Sequence, residues 1–435
     1  MSQRSCPMKK NLALAIGLAL STLAPSAFAI TDEEGSAALQ FNLAPPGARS
    51  LGMGGAFIGL ADDATAAASN PAGLLQLAAP EVSVEFRTSG YDTPYVDGGS
   101  YSSAPFSTDA LNISRDSENI GGFSFLSFVY PQENWALAVY RQEALNFKTS
   151  FVSAGADDSA GTGFIFPFAA AAQLRDVVYG VSGAFRFNDY ISAGVSVNTH
   201  DFDIDSATLR TFQSNGATVN LLTTQDGNAN AIGGYFGLMV KPNDQWQFGL
   251  TYRAAPKFKY NAAAYRNGTQ FLSKPTKFDS PDAFGLGAVW RPSDQLSLAL
   301  DVVQVQYSEL TDNMVSNFQL NEALPVVQEG IAPLQIDDGV EVHLGGEYVF
   351  TNFNHPFSLR AGVWHDPEHS IRFQGEPIVR PVTDAVANAV LFSQGDDELH
   401  YALGFGWAFE RFQVDAGADF SENVDTWSVS GVWRF

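Results

Sequence analysis

The residue types that most often do chemistry are sparse in this chain, so their spacing carries the argument. His365 and His369, in Trp364-His365-Asp366-Pro367-Glu368-His369, stand four apart. At that interval two imidazoles can share a helix face and bind zinc. Pro367 lies between them and opposes a regular helix, so they read as surface-loop histidines, and no metal is expected. Gly52-Met53-Gly54 opens like a dinucleotide-binding loop, but the third glycine position is Phe57 and no strand leads into it. Close packing of backbone against a neighbouring surface is the better account of those glycines. No Ser/His/Asp or Cys/His grouping has informative spacing, so the chain is expected to have no catalytic residues and no cofactor.

What remains is a set of arginines and a phenylalanine cluster. Arg87, Arg186, Arg253 and Arg360 fall on the polar faces of alternating segments that also carry Glu81, Glu85, Asp301, Glu341 and Glu347. A guanidinium buried there can receive the carboxylate of an amphipathic ligand, or it can tie two parts of the protein together through ion pairs. The sequence leaves both roles open. If every such cation has an acidic partner, a neutral cargo becomes the better reading. Phe164, Phe166 and Phe168 lie in an uncharged stretch, Gly161 to Leu174. Exposed, they would form a ligand-collecting patch; the alternative is a loop packed on its own rim.

These residues need a scaffold with two unlike faces, and the end of the chain shows one. From Asp425 to Phe435, Trp427, Val429, Gly431, Trp433 and Phe435 share one strand face, with Ser428, Ser430 and Arg434 on the other. A strand apolar outside, polar inside and aromatic at its end suits the last strand of a barrel in a Gram-negative outer membrane. The expected partners are then outer-membrane lipid, lipopolysaccharide and the barrel assembly machinery, the last engaged through the strand ending in Phe435. The other end agrees. Arg4, Lys9 and Lys10 precede an apolar run from Leu12 to about Leu23, followed by Ala27-Phe28-Ala29, the pattern of a cleaved export signal over residues 1–29. Cys6, the one cysteine, would leave with it.

Period-two alternation recurs throughout, as in Val82, Val84 and Phe86 or Trp246, Phe248, Leu250 and Tyr252, and gives about fourteen candidate strands. Short polar links at 131–134, 188–189, 241–244 and 291–294 alternate with long segments at 88–118, 147–173, 204–229, 254–280, 307–337 and 365–397. Short periplasmic turns and long outer loops produce this alternation in membrane barrels. Tyr130, Trp135, Trp290 and Trp433, near strand ends, are candidates for the interfacial aromatic girdles. With 45% hydrophobic and 13% aromatic residues the chain is too apolar for disorder. Its 24 basic and 47 acidic residues make it repel nucleic acid. The fold class is therefore all-β: a 14-stranded antiparallel transmembrane barrel over residues 80–435. Residues 30–79, rich in alanine and glycine and without strand alternation, are expected to form a small helical hatch inside it.

Within that segment, Asn70-Pro71-Ala72-Gly73 resembles the Asn-Pro-Ala motif of the N-terminal hatch in the FadL/TodX transporters of long-chain fatty acids and other hydrophobic compounds. It follows Gly52-Met53-Gly54-Gly55-Ala56 and Ala61-Asp62-Asp63-Ala64. GLTYRAAPKF (Gly249 to Phe258), SPDAFGLGAVWRPSDQLSLALD (Ser280 to Asp301), HLGGEYVF (His343 to Phe350) and SLRAGVWHDP (Ser358 to Pro367) are similar to strand and turn signatures of the same family. The resemblance implies passive import of hydrophobic small molecules, long-chain fatty acids first and neutral or aromatic hydrocarbons second. It also implies a sideways exit near a kinked third strand, although NWALAVYRQEALNF holds neither glycine nor proline to mark a kink. Leu51 to Leu74 also resembles the start of PorV-like barrels, which would imply a partner role in protein secretion. A general porin is the third alternative.

Overall fold

The computed structural model describes residues 45–103, 105–161, 164–214, 216–312, 334–373, 390–392 and 395–435. The expected export signal and residues 30–44 lie outside that set, as do parts of the segments 307–337 and 365–397. Fourteen strands form the wall: β1 (Glu81–Ser103), β2 (Phe106–Pro131), β3 (Trp135–Ser153), β4 (Phe168–Asn188), β5 (Ile191–Ser214), β6 (Ala217–Val240), β7 (Trp246–Ala254), β8 (Ala283–Trp290), β9 (Leu296–Val305), β10 (Gly339–Phe350), β11 (Phe357–Asp366), β12 (Glu398–Ala408), β13 (Phe412–Phe420) and β14 (Val424–Arg434). Each pairs antiparallel with the next, and β14 pairs with β1 from Glu81↔Arg434 to Tyr91↔Val424, closing the barrel. Closure joins the first strand to the last, as a sheet that spans a bilayer requires.

The alternation dictates which side faces lipid. On β14, Trp427, Val429 and Trp433 are exposed while Thr426, Ser428 and Ser430 are buried, and on β7 Trp246 and Phe248 face out while Gln247 faces in. Aromatic rings crowd the outer surface near the short turns, where Tyr130 lies 6.2 Å from Trp135 and Trp246 lies 6.0 Å from Trp290. Such a belt is the expected girdle of a membrane interface.

The wall is uneven. Strands β1 to β6 run 19 to 26 residues, whereas β7 to β14 run 8 to 12. A membrane strand needs only about 9–11 residues, so the first six stand well beyond the bilayer. This corrects the loop expectation: 88–118 and 204–229 are continuations of β1/β2 and β5/β6. Segment 254–280 is a further hairpin, Lys257–Arg266 with Thr269–Asp279, whose tip pairs with β6. The apolar/polar code fades there because neither face meets lipid.

Inside the wall, residues 45–79 carry one short helix, α1 (Ala48–Gly52), and two 3₁₀ turns, Ala64–Ala68 and Pro71–Gln76. Asn70 shapes this hatch segment. Its side-chain oxygen accepts from Ala72 N at 3.2 Å, capping the second turn, and its amide donates to Ile58 O at 2.9 Å, binding two legs together. Pro71 at the first position of the turn has no amide hydrogen to satisfy. Asn70→Ala should destabilise the folded protein by about 1–2 kcal/mol, read as a lower denaturant midpoint in micelles.

Candidate functional site

The hatch rests on pairs of glycines that face each other across neighbouring strands. Gly194 opposes Gly237, Gly249 opposes Gly287, Gly345 opposes Gly362, and Gly404 opposes Gly417. A Cβ at any of the eight would lie under 3.0 Å from hatch atoms: Asn70 to Ala72 at the first pair, Ile58 and Gly59 at the second, Met53 and Gly54 at the third, and Ala48 or Gly52 at the fourth. With no side chains between them, hatch backbone lies directly on wall backbone.

Polar wall residues then satisfy the hatch's peptide groups, as burial requires. Asp301 Oδ2 accepts from Phe57 N and Ile58 N at 2.6 and 2.7 Å. Gln247 donates to Gly59 O, Ser182 to Ala67 O, Arg186 to Leu75 O and Ser127 to Ala64 O, at 2.6 to 3.0 Å. His343 Nδ1 meets Gly54 O at 2.8 Å.

An ion-pair network joins hatch to wall. Arg49 contacts Asp62 at 2.5 Å and Glu347 at 2.7 Å; Arg360 contacts Glu347 and Asp415, each at 2.7 Å. Arg360 is nearly fully buried, so its removal leaves the buried Asp415 without its cation and Glu347 with Arg49 alone. Arg360→Met should therefore cost roughly 3–5 kcal/mol, measured by denaturant unfolding in micelles.

The four wall arginines thus have unlike fates. Arg360 is committed to two acids, Arg87 pairs with Glu85 at 2.8 Å, and Arg186 holds the hatch carbonyl. Arg253 donates through Nη2 to Pro281 O at 2.8 Å, while its buried Nε has no hydrogen-bond partner among the described residues. It borders two interior cavities. One, of about 30 Å³, lies among Phe202, Phe258, Phe278, Tyr235, Asp176 and His200. The other, of about 100 Å³, lies among Ile58, Ser69, Gln142, Glu341 and His343. Above the first cavity an apolar column fills the outer lumen, with Phe202 stacked on Phe258 at 4.2 Å and on Phe278 at 5.1 Å, alongside Tyr91, Phe147, Leu174 and Tyr307.

Of the two arrangements the sequence left open for the rim phenylalanines the structure has the packed one, and the histidines do not lie in a surface loop. Phe166 and Phe168 are buried rather than exposed: Phe166 stacks on Phe212 at 4.9 Å, and Phe168 meets Phe151 at 6.0 Å under the Arg210 guanidinium. Phe164, half-buried, packs on Phe166 at 4.5 Å. His365 lies on β11, and His369 is buried on the Tyr307 ring at 4.5 Å rather than in a surface loop. Burial and the nearby Glu341 carboxylate hold the Tyr307 hydroxyl well above its ordinary pKa, so it stays a donor, bonding Glu341 Oε1 at 2.8 Å.

The wall itself has an opening. β2 and β3 pair only from Phe125↔Gln142 to Pro131↔Ala136, although both strands continue. Beyond Gln142, β3 stays with β4 and bulges at Ala144, between Glu143 and Leu145. Further out, side chains rejoin the two strands: Lys148 meets Glu118 at 3.0 Å, and Asp116 accepts from Thr149 Oγ1 and Ser150 N at 2.9 and 2.8 Å. The gap between is lined by Tyr91, Ile120, Gly121, Ser124 and Leu145 and contains about 60 Å³. Ala144 borders this gap and both interior cavities. The kink missing from the sequence pattern is thus a bulge with neither glycine nor proline, a change of register that depends on both neighbouring strands.

A closed barrel, a polar-anchored hatch, an apolar outer column and a side opening are the parts of a membrane conduit. Solved structures of similar fold include a Pseudomonas aeruginosa FadL homologue, at 15% identity over 89% of this chain and 98% of that one, TM-score 0.62. The Ralstonia pickettii toluene transporter TbuX aligns at 17% identity over 91% and 100%, TM-score 0.59. The Pseudomonas putida toluene transporter TodX aligns at 15% identity over 90% and 98%, TM-score 0.56. At these identities the likeness is one of fold. Comparison with curated proteins finds no match. The family described as outer membrane protein transport protein (OMPP1/FadL/TodX) matches residues 35–424. The chain therefore belongs to the OMPP1/FadL/TodX family, as an outer-membrane barrel that transports hydrophobic compounds and is not an enzyme.

Proposed function

We propose that the cargo is an amphipathic acid with a long hydrocarbon tail, in the first instance a long-chain fatty acid, imported passively. The observation that carries this reading is Arg253. Among the four wall arginines it alone keeps a buried donor without a partner among the described residues, and it does so between an apolar column and the hatch. A guanidinium in that setting favours a carboxylate, since charge-assisted hydrogen bonds are the strong ones and a buried unpaired donor is costly. The tail would lie along Phe202, Phe258 and Phe278, while Phe164 and Phe166, packed together against Phe212, and Phe168, packed on Phe151, would stiffen the rim beside it.

The interior cavities are of single-ring or water size, far below the volume of a long acyl chain. Transport of such a chain then requires residues 45–79 to shift on ligand binding, followed by exit through the gap beside Ala144. The same small volume favours a second reading, in which a single-ring hydrocarbon is the cargo. Titration of the purified protein with oleate and with toluene separates the two. Oleate should bind, and Arg253→Gln should weaken it by about ten- to a hundredfold, the worth of a hydrogen bond to a charged group. Toluene binding with no response to oleate would reverse the assignment. Copurification with secreted proteins would favour the secretion role instead.

A further inference from the structure

The cavity beside Arg253 contains a second unanswered group. Asp176, on β4, is buried, and its Oδ1 has no hydrogen-bond partner among the described residues. Its other oxygen is fixed by His200 Nδ1 at 2.7 Å. His200 Nε2 is held by Asn198 Oδ1 at 3.0 Å, Asn198 donates to Tyr140 OH at 3.1 Å, and Tyr140 OH lies 3.0 Å from Ser196 Oγ. This chain across β3, β4 and β5 leaves the carboxylate little freedom to turn, so Oδ1 is presented in a set direction. Glu85 and Asp301 also hold buried oxygens without partners, but neither borders this cavity, whereas Asp176 and Arg253 border it together.

A fixed acceptor and an open donor on one cavity define a ligand with both complements. A plain fatty acid answers Arg253 and leaves Asp176 facing it as a second negative charge. A hydroxyl near the carboxyl end removes that conflict, since it donates to Oδ1 while the ligand carboxylate accepts from the guanidinium. The cavity of about 30 Å³ admits a hydroxyl-sized group as it stands, and the carboxylate follows only as the lining side chains give way. We propose that this site selects fatty acids hydroxylated close to the carboxyl group, with Asp176 as the residue that determines specificity. This rests on the carboxylate reading of Arg253 and narrows it.

The test is equilibrium binding of hexadecanoate, 3-hydroxyhexadecanoate and 16-hydroxyhexadecanoate to the full-length protein in micelles. The 3-hydroxy acid should bind about tenfold more tightly than the parent, and the 16-hydroxy acid, whose hydroxyl lies at the far end, should show no gain. In Asp176→Ala the ratio between 3-hydroxy and parent acids should fall to near one, with hexadecanoate bound at least as tightly as by the native protein because the facing charge is gone. Should that variant fail to form a barrel, Asp176→Asn, which keeps an acceptor but loses the charge, should reduce the ratio several-fold. Equal binding of the parent and 3-hydroxy acids by the native protein, or a preference that survives Asp176→Ala, would overturn the proposal alone. Failure of all three acids to bind would overturn the carboxylate reading with it.

Discussion

Gly249→Val combined with Gly287→Val is expected to turn a nearly non-conducting barrel into one that passes ions steadily in a planar bilayer. A single Cβ at either position lies under 3.0 Å from Ile58 or Gly59, and each valine adds two methyl groups beyond it. The two residues face each other across β7 and β8, so the hatch cannot slide from one onto the other. Overpacking typically costs about 1–3 kcal/mol per site, and the wall, closed by hydrogen bonds on both sides, yields less than a short loop does. The hatch therefore lifts at this pad. A fourteen-stranded barrel is wide enough for water once its filling moves, so conductance should rise on the order of tenfold. A variant that migrates as a folded barrel yet remains silent would show that the hatch does not rest on this pair.

Ala144→Trp is expected to reduce cellular uptake of labelled ligand strongly, since it fills the small concave spaces a ligand must pass, while the barrel still assembles. Ala144 is where the two interior cavities and the gap between β2 and β3 meet, and an indole there fills the passage. Ala144→Ser, which adds one oxygen, should leave uptake near the native level and controls for disturbance of the bulge. Undiminished uptake in the tryptophan variant would mean that ligand leaves by another route.

The sequence was informative wherever one side of a strand meets lipid. Trp246, Phe248 and Leu250, or Trp427, Val429 and Trp433, alternate cleanly because outside and inside are chemically unlike. Above the bilayer that contrast vanishes, which is why the outer halves of β1, β2, β5 and β6 read as loops. Whether Phe166 and Phe168 were exposed or packed stayed open in the sequence because their partners, Phe212 and Phe151, belong to other strands. The inward arginines were legible by parity, but which of them already had a partner was not. Arg49 of the hatch, which helps hold Glu347, gave no periodic signal at all. The opposed glycines were visible singly; their pairing is a matter of register between strands.

The last residue of the wall is tied to the end of the hatch: Phe435 N donates to Pro80 O at 3.0 Å. The chain thus becomes a ring in space at the point where its inner layer passes into its outer one. Residues 45–79 precede every strand and β14 is the last, so the seam and the hatch's point of attachment meet at one place. The hatch is stitched into the hem at its Pro80 end. Any motion it makes is hinged at that end, where the first strand begins and the last one finishes.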